Sequence, residues 1–342
     1  MIALDAMGGD LAPAATVEGA LRAHRERGLR VLLVGDEPRL KAELRRLGAG
    51  GHELPVQHAS EVVEMNDHPG QALRRKKDSS IRVCFDLCKA GEAAGMISAG
   101  NSGAVLAGAL FVLGRLDHVD RPCIGGSLPT LGGNGRAVLV DMGANVDCTP
   151  LQIVQFALMG EVYARRVLGV ARPRVGVVAN GEEEGKGTEL TRAAATALRK
   201  PESAIEFAGY VEGKDVFSGD FDVIATDGFT GNVLLKTAEG AVWAFGQLLK
   251  RQIQSSRVAT AGALLMRSQL EQVKKRVDYE EVGGAPLLGV RGAAMIAHGR
   301  STHRAILNAL SGAEAFARQH LEEDLAAAAR RGEELVAQRA AS

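Results

Sequence analysis

Short apolar runs rich in β-branched residues alternate along this chain with segments of helical periodicity, and this alternation constrains the fold most. It begins with a strand at Ile2 to Asp5, a helix at Pro13 to Glu26, a strand at Val31 to Val34 and a helix at Pro38 to Leu47. Further strands are predicted near 56–58, 96–98, 137–141, 174–179, 205–208 and 223–225, with helices beginning near Asn101, Thr149 and Thr188. Such alternation predicts an α/β protein whose parallel-rich sheet is covered on both faces, a three-layer α/β/α sandwich.

The pattern changes to one long helical stretch at about residues 232–276, with a soft break expected near Ala259 to Gly262. We interpret this stretch as a protruding helical hairpin. A helix from Thr302 to Arg318 and an alanine-rich tail follow. The sequence therefore predicts a single α/β catalytic domain over residues 1–320, hairpin included, and a C-terminal helical tail at 321–342. The last part of the tail offers little apolar surface, so fraying is expected there.

Composition excludes several classes of protein. Lysine plus arginine equals aspartate plus glutamate at 41 each, so no overall positive field exists to bind nucleic acid. The four cysteines lack the spaced pairs of a zinc site and are interpreted as reduced thiols. The first ten residues do not resemble a signal peptide, and no run of eighteen uncharged apolar residues occurs. We therefore expect a cytoplasmic protein whose membrane contact, if any, is peripheral at the inner face.

Four clusters of glycine with polar residues follow predicted strands, where open α/β sheets bind ligands. They span residues 5–10 (DAMGGD), 98–103 (SAGNSG), 141–147 (DMGANVD) and 227–232 (DGFTGN). Each supplies glycine for close backbone approach and a polar group to orient a ligand. Asp, Asn, Ser and Thr are also the preferred helix caps, so a simple capped turn is the alternative for each cluster. Together the four favour a shared cleft.

A fifth cluster at 180–188 (NGEEEGKGT) resembles a nucleotide phosphate loop only at its end. Asn180 stands where that loop needs glycine, and Gly187 stands where it needs serine or threonine. What remains is Lys186 just before a helix that opens near Thr188, a place where a cation and a helix dipole together hold a small anion. A solvated lysine in a flexible loop is the alternative.

Motifs of several other enzyme classes are missing from the sequence. No Gly-x-Gly-x-x-Gly follows a strand, no Gly-x-Ser-x-Gly occurs, and no His-Glu-x-x-His pair is present. These absences disfavour a dinucleotide-dependent dehydrogenase, a serine hydrolase and a zinc peptidase. His68, His298 and His303 lie near polar turns, where a structural histidine is a more common role than a general base.

Taken together, the clusters resemble the phosphate acyltransferase family of bacterial phospholipid synthesis over about residues 1–320. Eight motifs match its pattern in order, namely those at 5–10, 66–69, 98–103, 141–147, 180–190, 211–215, 227–232 and 280–289. The family resembles isocitrate and isopropylmalate dehydrogenases and phosphotransacetylases in fold, which implies an α/β/α sandwich and a homodimer. The implied reaction moves a long-chain acyl group from acyl carrier protein to inorganic phosphate, and a downstream membrane acyltransferase then uses the acyl phosphate.

The resemblance also implies roles for individual residues. Lys186 matches the family's catalytic lysine and Asn232 its catalytic asparagine. The substrate-binding positions carried over are Asp5, Gly8, Gly9, Asp10, Asn66, Ser98, Asn101, Ser102, Gly103, Asp141, Asn145, Thr230 and Gly231. Phosphate is already an oxyanion nucleophile at neutral pH, so neither a serine triad nor a covalent cysteine is required. No cofactor and no metal is expected, because aspartates at turns are more often helix caps or hydrogen-bond acceptors. A divalent ion gathered by Asp5, Asp10, Asp141 and Asp227 is the less favoured alternative.

The hairpin has a distinctive charge pattern. Residues 250–276 carry seven cationic residues against the single acid Glu271, a net charge of +6, around an uncharged run at 258–266. An apolar tip between cationic shoulders fits acyl carrier protein or an anionic lipid surface, and packing in a dimer interface is the alternative. The residues assigned to this contact are Arg251, Arg257, Leu264, Leu265, Met266, Arg267, Lys274 and Lys275.

Two rival functions stay open at this point. A short-chain phosphotransacetylase that acts on acetyl-coenzyme A would use the same chemistry with another carrier. A catalytically silent acyl-binding regulator would keep the fold but would not need Lys186 or Asn232.

Overall fold

Strands and helices alternate along the chain as predicted, and the computed structural model describes residues 1–50, 53–277 and 283–340. The strands are β1 (Ile2–Asp5), β2 (Val31–Gly35), β3 (Val56–His58), β4 (Gly95–Ser98), β5 (Cys123–Pro129), β6 (Arg136–Val140), β7 (Arg174–Val178), β8 (Glu206–Val211), β9 (Val223–Ala225), β10 (Ala285–Leu288) and β11 (Ala293–Ile296). The first helices are α1 (Ala14–Arg27), α2 (Glu37–Arg46), α3 (Pro69–Arg75), α4 (Ser80–Lys89), α5 (Ser102–Gly108) and α6 (Pro150–Arg166). The others are α7 (Glu189–Leu198), α8 (Gly228–Gln254), α9 (Arg257–Leu265), α10 (Arg267–Val277), α11 (His303–Arg318) and α12 (Glu322–Ala340).

The strands form one sheet in the order β3-β2-β1-β4-β11-β10-β5-β6-β9-β7-β8. The strands from β3 to β11 are parallel to one another, and so are those from β6 to β8. Between these two sets, three antiparallel pairings join β11 to β10, β10 to β5 and β5 to β6. Three reversals leave the two parallel sets running in opposite directions.

Apolar side chains alternate between the two faces of the sheet, which places helices on both. In β1, Ile2 and Leu4 pack with residues of α1 and α11, whereas Ala3 packs with residues of α4 and α5. In β6, Val138 and Val140 pack with α6, whereas Leu139 faces the start of α8. The predicted three-layer α/β/α architecture is confirmed.

Cap residues predicted the starts of three helices correctly. Asn101, Thr149 and Thr188 each accept a hydrogen bond from a main-chain N–H in the first turn of the helix that follows. Thr149 also forms a reciprocal capping box with Gln152. The three helix starts predicted from these residues are confirmed.

The predicted break near Ala259 to Gly262 is wrong, because α9 runs through it. The chain interrupts its helices at Ser255 and Ser256, where the Ser256 hydroxyl caps α9, and again at Met266. We refer to residues 232–276, which carry α8 after its first turn, α9 and most of α10, as the arm. None of the arm residues from 232 to 276 is buried.

The C-terminal tail is helical as far as Ala340, and α12 packs against α6. Leu325, Ala329 and Leu335 are buried there, although the alanine-rich composition of the tail suggested fraying. These apolar residues are spaced so that they lie on one face of α12, and that face packs against the core. The composition of the tail alone did not indicate this contact.

The packing of α12 predicts a difference between two leucine truncations. Leu325→Ala should lower the free energy of unfolding by about 2–5 kcal/mol, because the side chain is 2% exposed in the core. Leu264→Ala is the matched control, since that leucine is 68% exposed on α9, and its effect should be under about 0.5 kcal/mol. Urea unfolding of both variants measures the difference, and equal stabilities would contradict the burial of α12.

Candidate functional site

The loops after β1 and β4 are tied together by a buried carboxylate. Asp5 and Ser98 are register partners on these neighbouring strands, and the Ser98 hydroxyl donates a 2.6 Å hydrogen bond to Asp5 Oδ2. Asp5 Oδ1 accepts from the Met7 N–H at 3.2 Å, and burial raises the pKa of Asp5. A Cβ on Gly8 would lie 2.5 Å from Asp5 Oδ2, so only glycine fits there. Asp5 and Ser98 thus shape this loop pair, and their direct contact with substrate stays a prediction.

Asn101 joins a third loop to this pair. Its Nδ2 donates to the carbonyls of Met65 and Asp67 at 3.1 Å each, while its Oδ1 caps α5. Asn66 lies exposed between these two anchor points, and Ser102 is exposed beside Asn101. A Cβ on Gly103 would collide with the Pro69 ring. The predicted polar positions of these loops therefore come together at one end of β1 and β4.

The turn after β1 also reaches the turn after β11. Gly9 has a φ of +107°, a left-handed backbone that favours glycine, and the Asp10 N–H donates a 2.7 Å hydrogen bond to the Gly299 carbonyl. Asp10 itself is exposed. His298, which precedes Gly299, is thereby held beside the first loop pair.

A second buried carboxylate organises the loop after β6. Asp141 Oδ1 accepts from the main-chain N–H groups of Ile124, Gly143 and Ala144. Its Oδ2 accepts from the Asn145 N–H at 2.7 Å and from Asn145 Nδ2 at 3.0 Å. Burial raises the pKa of Asp141, and the hydrogen bonds from Ile124, Ala144 and Asn145 oppose that shift. Asp141 and Asn145 therefore fix the loop geometry, and a substrate contact by either stays a prediction.

Helix α8 begins directly against that loop. Asp227 caps it by accepting from the Thr230 N–H at 2.8 Å and from the Thr230 hydroxyl at 2.7 Å. Gly231 lies so close to the Asp141 carbonyl that no Cβ fits. Asn232 follows and is exposed. Among the described residues, its Nδ2 donates a single hydrogen bond, a long one of 3.4 Å to the Met142 carbonyl. An amide held this weakly can donate to a better acceptor when one is bound.

The four clusters do not follow strands of one parallel set. Those after β1 and β4 lie on one set, and those after β6 and β9 lie on the other, which runs in the opposite direction. The sequence did not reveal the strand reversals because β5, β10 and β11 were not predicted. Glycines in β5, Pro286 in β10 and alanines in β11 weaken their strand signal.

Lys186 lies on the loop between β7 and α7. Asn180 Oδ1 accepts from the Gly187 N–H at 2.7 Å, which holds the loop closed just after the lysine. The Lys186 side chain is 47% exposed, and its Nζ is 4.0 Å from Glu183 Oε2. No shorter ion pair of Lys186 occurs among the described residues. Its ammonium group is thus available to an anion beside the start of α7.

The acidic run before Lys186 is partly neutralised by another predicted motif. Lys214 Nζ lies 3.0 Å from Glu182 and 2.8 Å from Glu212, and these two carboxylates raise its pKa. Oxygens of Glu182, Glu212 and Asp215 lie within 4.8 Å of one another, a grouping that acidic ligands of a cation also show. Here the Lys214 ammonium binds two of the three carboxylates. The motifs at 180–190 and 211–215 are therefore in contact.

Lys236 was missed by the sequence analysis. It lies one helical turn after Asn232 on α8, and its Nζ is 2.9 Å from Glu239 Oε2 and 3.4 Å from His298 Nε2. Burial and the positive charge of Lys236 lower the pKa of His298. This contact connects the loops of the two strand sets. The spacing of Asn232 and Lys236, four residues apart on one helix face, was the available signal.

No cysteine in the described residues is poised as a nucleophile. Cys84 and Cys123 are buried, and burial raises the pKa of each thiol well above its usual value. Burial also raises the pKa of Cys88 to about 12 and that of Cys148 to about 11. A thiol with such a pKa is neutral at pH 7, so covalent thiolate catalysis finds no support.

The predicted contact residues of the arm are exposed. Leu264 and Leu265 at the end of α9 and Met266, which follows them, are 68%, 87% and 55% exposed. The cationic residues around them are also exposed, and Arg267 pairs with Glu271 at 2.8 Å. The predicted cationic residues are Arg251, Arg257, Arg267, Lys274 and Lys275. The motif predicted at 280–289 begins with residues 280–282, which lie outside the described residues.

None of the helices in the described part of the chain combines the length and apolarity needed to cross a bilayer.

Comparison with solved structures supports the fold. A phosphotransacetylase from Streptococcus pyogenes superimposes with a TM-score of 0.57 over 92% of this chain and 94% of its own, at 15% identity. At that identity the likeness concerns the fold, and the predicted resemblance to phosphotransacetylases in fold is confirmed.

Sequence comparisons identify the family. Residues 1–323 match the family described as "Fatty acid synthesis protein". A phosphate acyltransferase of Anaeromyxobacter sp. strain Fw109-5 is 58% identical over 98% of this chain and 92% of its own length. One from Geobacter sulfurreducens is 50% identical over 95% of this chain and 93% of its own. With two such relatives and a family match over residues 1–323, the chain belongs to the phosphate acyltransferase family of fatty acid synthesis proteins.

Proposed function

We propose that this enzyme transfers a long-chain acyl group from acyl carrier protein to inorganic phosphate, and that the acyl phosphate it releases feeds phospholipid synthesis. The observation that carries the proposal is a site with an available cation at Lys186 and an available amide at Asn232, but without a thiolate nucleophile. In such a site the second substrate supplies the nucleophile, and phosphate is an oxyanion at neutral pH.

Lys186 and Asn232 have different electrostatic roles in the proposed reaction. The Lys186 ammonium, beside the start of α7, neutralises the incoming phosphate. Asn232 Nδ2 exchanges its long bond to the Met142 carbonyl for a shorter one to the oxyanion that forms on the thioester carbonyl. Because the loops that carry these groups are fixed by Asp141 and Asn180, the donors need little reorganisation during the reaction.

A long acyl chain suits the apolar residues near the polar loops. Leu11, Met65, Val146, Phe229 and Val233 are all exposed, and each lies within a few residues of a predicted substrate-binding position. An acetyl group is too short to cover such a surface. Each methylene of a longer chain that is removed from water contributes about 0.8 kcal/mol to the binding free energy. This apolar rim supports a long-chain donor over acetyl-coenzyme A.

The arm supports two further parts of the proposal. Its tip of Leu264, Leu265 and Met266 between cationic shoulders fits an anionic lipid surface at the inner face of the membrane, with acyl carrier protein as the other anionic candidate. Nearer the site, α8 exposes Trp243 and Phe245, and a second copy of the chain in a homodimer would cover them. Release of acyl phosphate at the membrane would bring it to a membrane acyltransferase.

A donor comparison tests the reaction. The purified enzyme should form acyl phosphate from palmitoyl carrier protein and phosphate, and form much less from acetyl-coenzyme A, as measured by trapping with hydroxylamine as hydroxamate. Lys186→Ala should abolish the product and leave the melting temperature unchanged, because a half-exposed lysine contributes charge rather than packing. Preference for acetyl-coenzyme A would instead identify a short-chain phosphotransacetylase, and more than a tenth of wild-type turnover in Lys186→Ala would refute the role of the lysine.

Removal of the Asn232 amide should separate binding from turnover. Asn232→Ala should lower kcat by about 10²- to 10³-fold with little change in the KM for phosphate, because the oxyanion exists only near the transition state. Gln57→Ala is the matched control: its exposed amide also donates a long bond, 3.3 Å, to a main-chain carbonyl, on β3. Steady-state kinetics give both constants, and a loss confined to KM would make Asn232 a ground-state ligand.

Charge reversal on the arm should weaken attachment to anionic surfaces. Replacing both Arg257 and Arg267 by Glu should reduce binding to phosphatidylglycerol vesicles at low salt, with about 1 kcal/mol for each cationic residue near the surface. The double variant Arg172→Glu and Arg318→Glu changes the net charge equally at exposed sites away from the arm. Vesicle sedimentation, the KM for carrier protein and analytical ultracentrifugation report on lipid, carrier and dimer contacts respectively. Unchanged vesicle binding would exclude the lipid contact, and dissociation to monomers would assign the tip to the dimer.

A further inference from the structure

We infer that Lys236 is a catalytic residue of this enzyme, and that its ammonium stabilises the negative charge on the sulfur that leaves the thioester. The inference rests on the proposed function and adds a residue for the leaving group, which neither Lys186 nor Asn232 serves.

The position of Lys236 along the sheet is the first argument. Asn232 follows β9, and the sheet order places β7, which carries the Lys186 loop, on one side of β9. Lys236 contacts His298, which follows β11 on the other side of β9. The strand that leads to Asn232 thus has the Lys186 loop on one side and the strand before His298, the contact of Lys236, on the other. In the tetrahedral intermediate, the attacking phosphate and the departing sulfur are two different substituents of the carbon that carries the oxyanion. One cation for each of these two groups matches that arrangement.

The reach of Lys236 is the second argument. Four residues of α-helix span about 6 Å and return to the same face, so Asn232 and Lys236 point from neighbouring turns into one space. Lys236 is 49% exposed, close to the value for Lys186, although it bonds Glu239 at 2.9 Å. Glu239 takes one of the three ammonium protons, and the His298 ring at 3.4 Å limits where the group can move. The ammonium retains protons for a ligand.

The chemistry requires a group of this kind. A bond forms between a phosphate oxygen and the carbonyl carbon, the carbon–sulfur bond breaks, and its electron pair leaves on sulfur. Hydrogen phosphate loses its proton as the acyl phosphate dianion forms, and the thiolate takes up one proton, so no co-reactant is consumed. A pantetheine thiol has a pKa of about 8.5 by analogy with cysteine, so its thiolate carries charge that a nearby ammonium stabilises in the transition state.

Chemical rescue tests the assignment. With palmitoyl carrier protein as donor, Lys236→Ala should lower kcat by about 10²-fold and leave the KM for phosphate unchanged. Added ethylammonium chloride should restore part of the lost turnover, because it supplies the missing cation, and Lys236→Arg should keep most of it. Ethylammonium should not restore the turnover of Asn232→Ala, because that variant lacks an amide and the added cation does not replace one. Lys41→Ala is the matched control, as Lys41 is an exposed helical lysine paired with Glu37 on α2.

The possible results separate the role of Lys236 from the proposed function. A parallel rise in the KM for phosphate would make Lys236 a phosphate ligand and overturn the inference. Unchanged turnover, or a loss that neither ethylammonium nor arginine restores, would also overturn it, because a structural defect does not respond to a free cation. If the wild-type enzyme forms no acyl phosphate from carrier protein, the proposed function fails instead.

Discussion

The buried carboxylate of Asp141 is the interaction on which the site depends. It collects five N–H groups, one from Ile124 in β5 and four from the loop after β6. Asn145, which it orients, accepts in turn from the Gly228 N–H at 2.7 Å through its own carbonyl. Gly231 completes the contact, because the Asp141 carbonyl leaves no space for a side chain there. Loss of the carboxylate would leave several buried donors unpaired, each at a cost of about 1–3 kcal/mol. The start and direction of α8 follow from this cluster, and the first turns of α8 carry Asn232 and Lys236, where the arm begins.

The electrostatics of the site follow from how each charge is partnered. Asp5 and Asp141 are buried, and both accept hydrogen bonds from neighbouring groups, so they stabilise the loops of the site. Lys186 and Lys236 are half-exposed, and within the part of the chain that the structure describes each has one carboxylate contact, which solvent weakens. An anion that displaces water from such a lysine meets a stronger field than the same lysine presents in bulk solvent. Two half-exposed cations therefore lie beside loops that buried carboxylates stabilise, within a chain of zero net charge.

Sequence reasoning succeeded where a residue acts locally and failed where it acts across the sheet. Asn101, Thr149 and Thr188 predicted helix starts because a cap needs only its own first turn. The motifs also placed Lys186 and Asn232, although their roles came from family resemblance. The reversals at β5 and β10 were missed because Gly125, Gly126 and Pro286 have low strand propensity, and tertiary pairing overrides it. Lys236 was missed for a related reason, since its partner His298 lies 62 residues away on the other strand set.

Helix α8 connects the site to the outer part of the arm. Its 27 residues span about 40 Å, so the first turn lies in the site while the last turn lies far out on the arm. Within the described residues, α8 buries only Gly228 and Gly231, which means that its contacts with the rest of the chain concentrate at its first turns. The Asp141 loop therefore holds the start of α8, where Asn232 and Lys236 lie, whereas side chains farther along the helix, such as Trp243 and Phe245, are exposed.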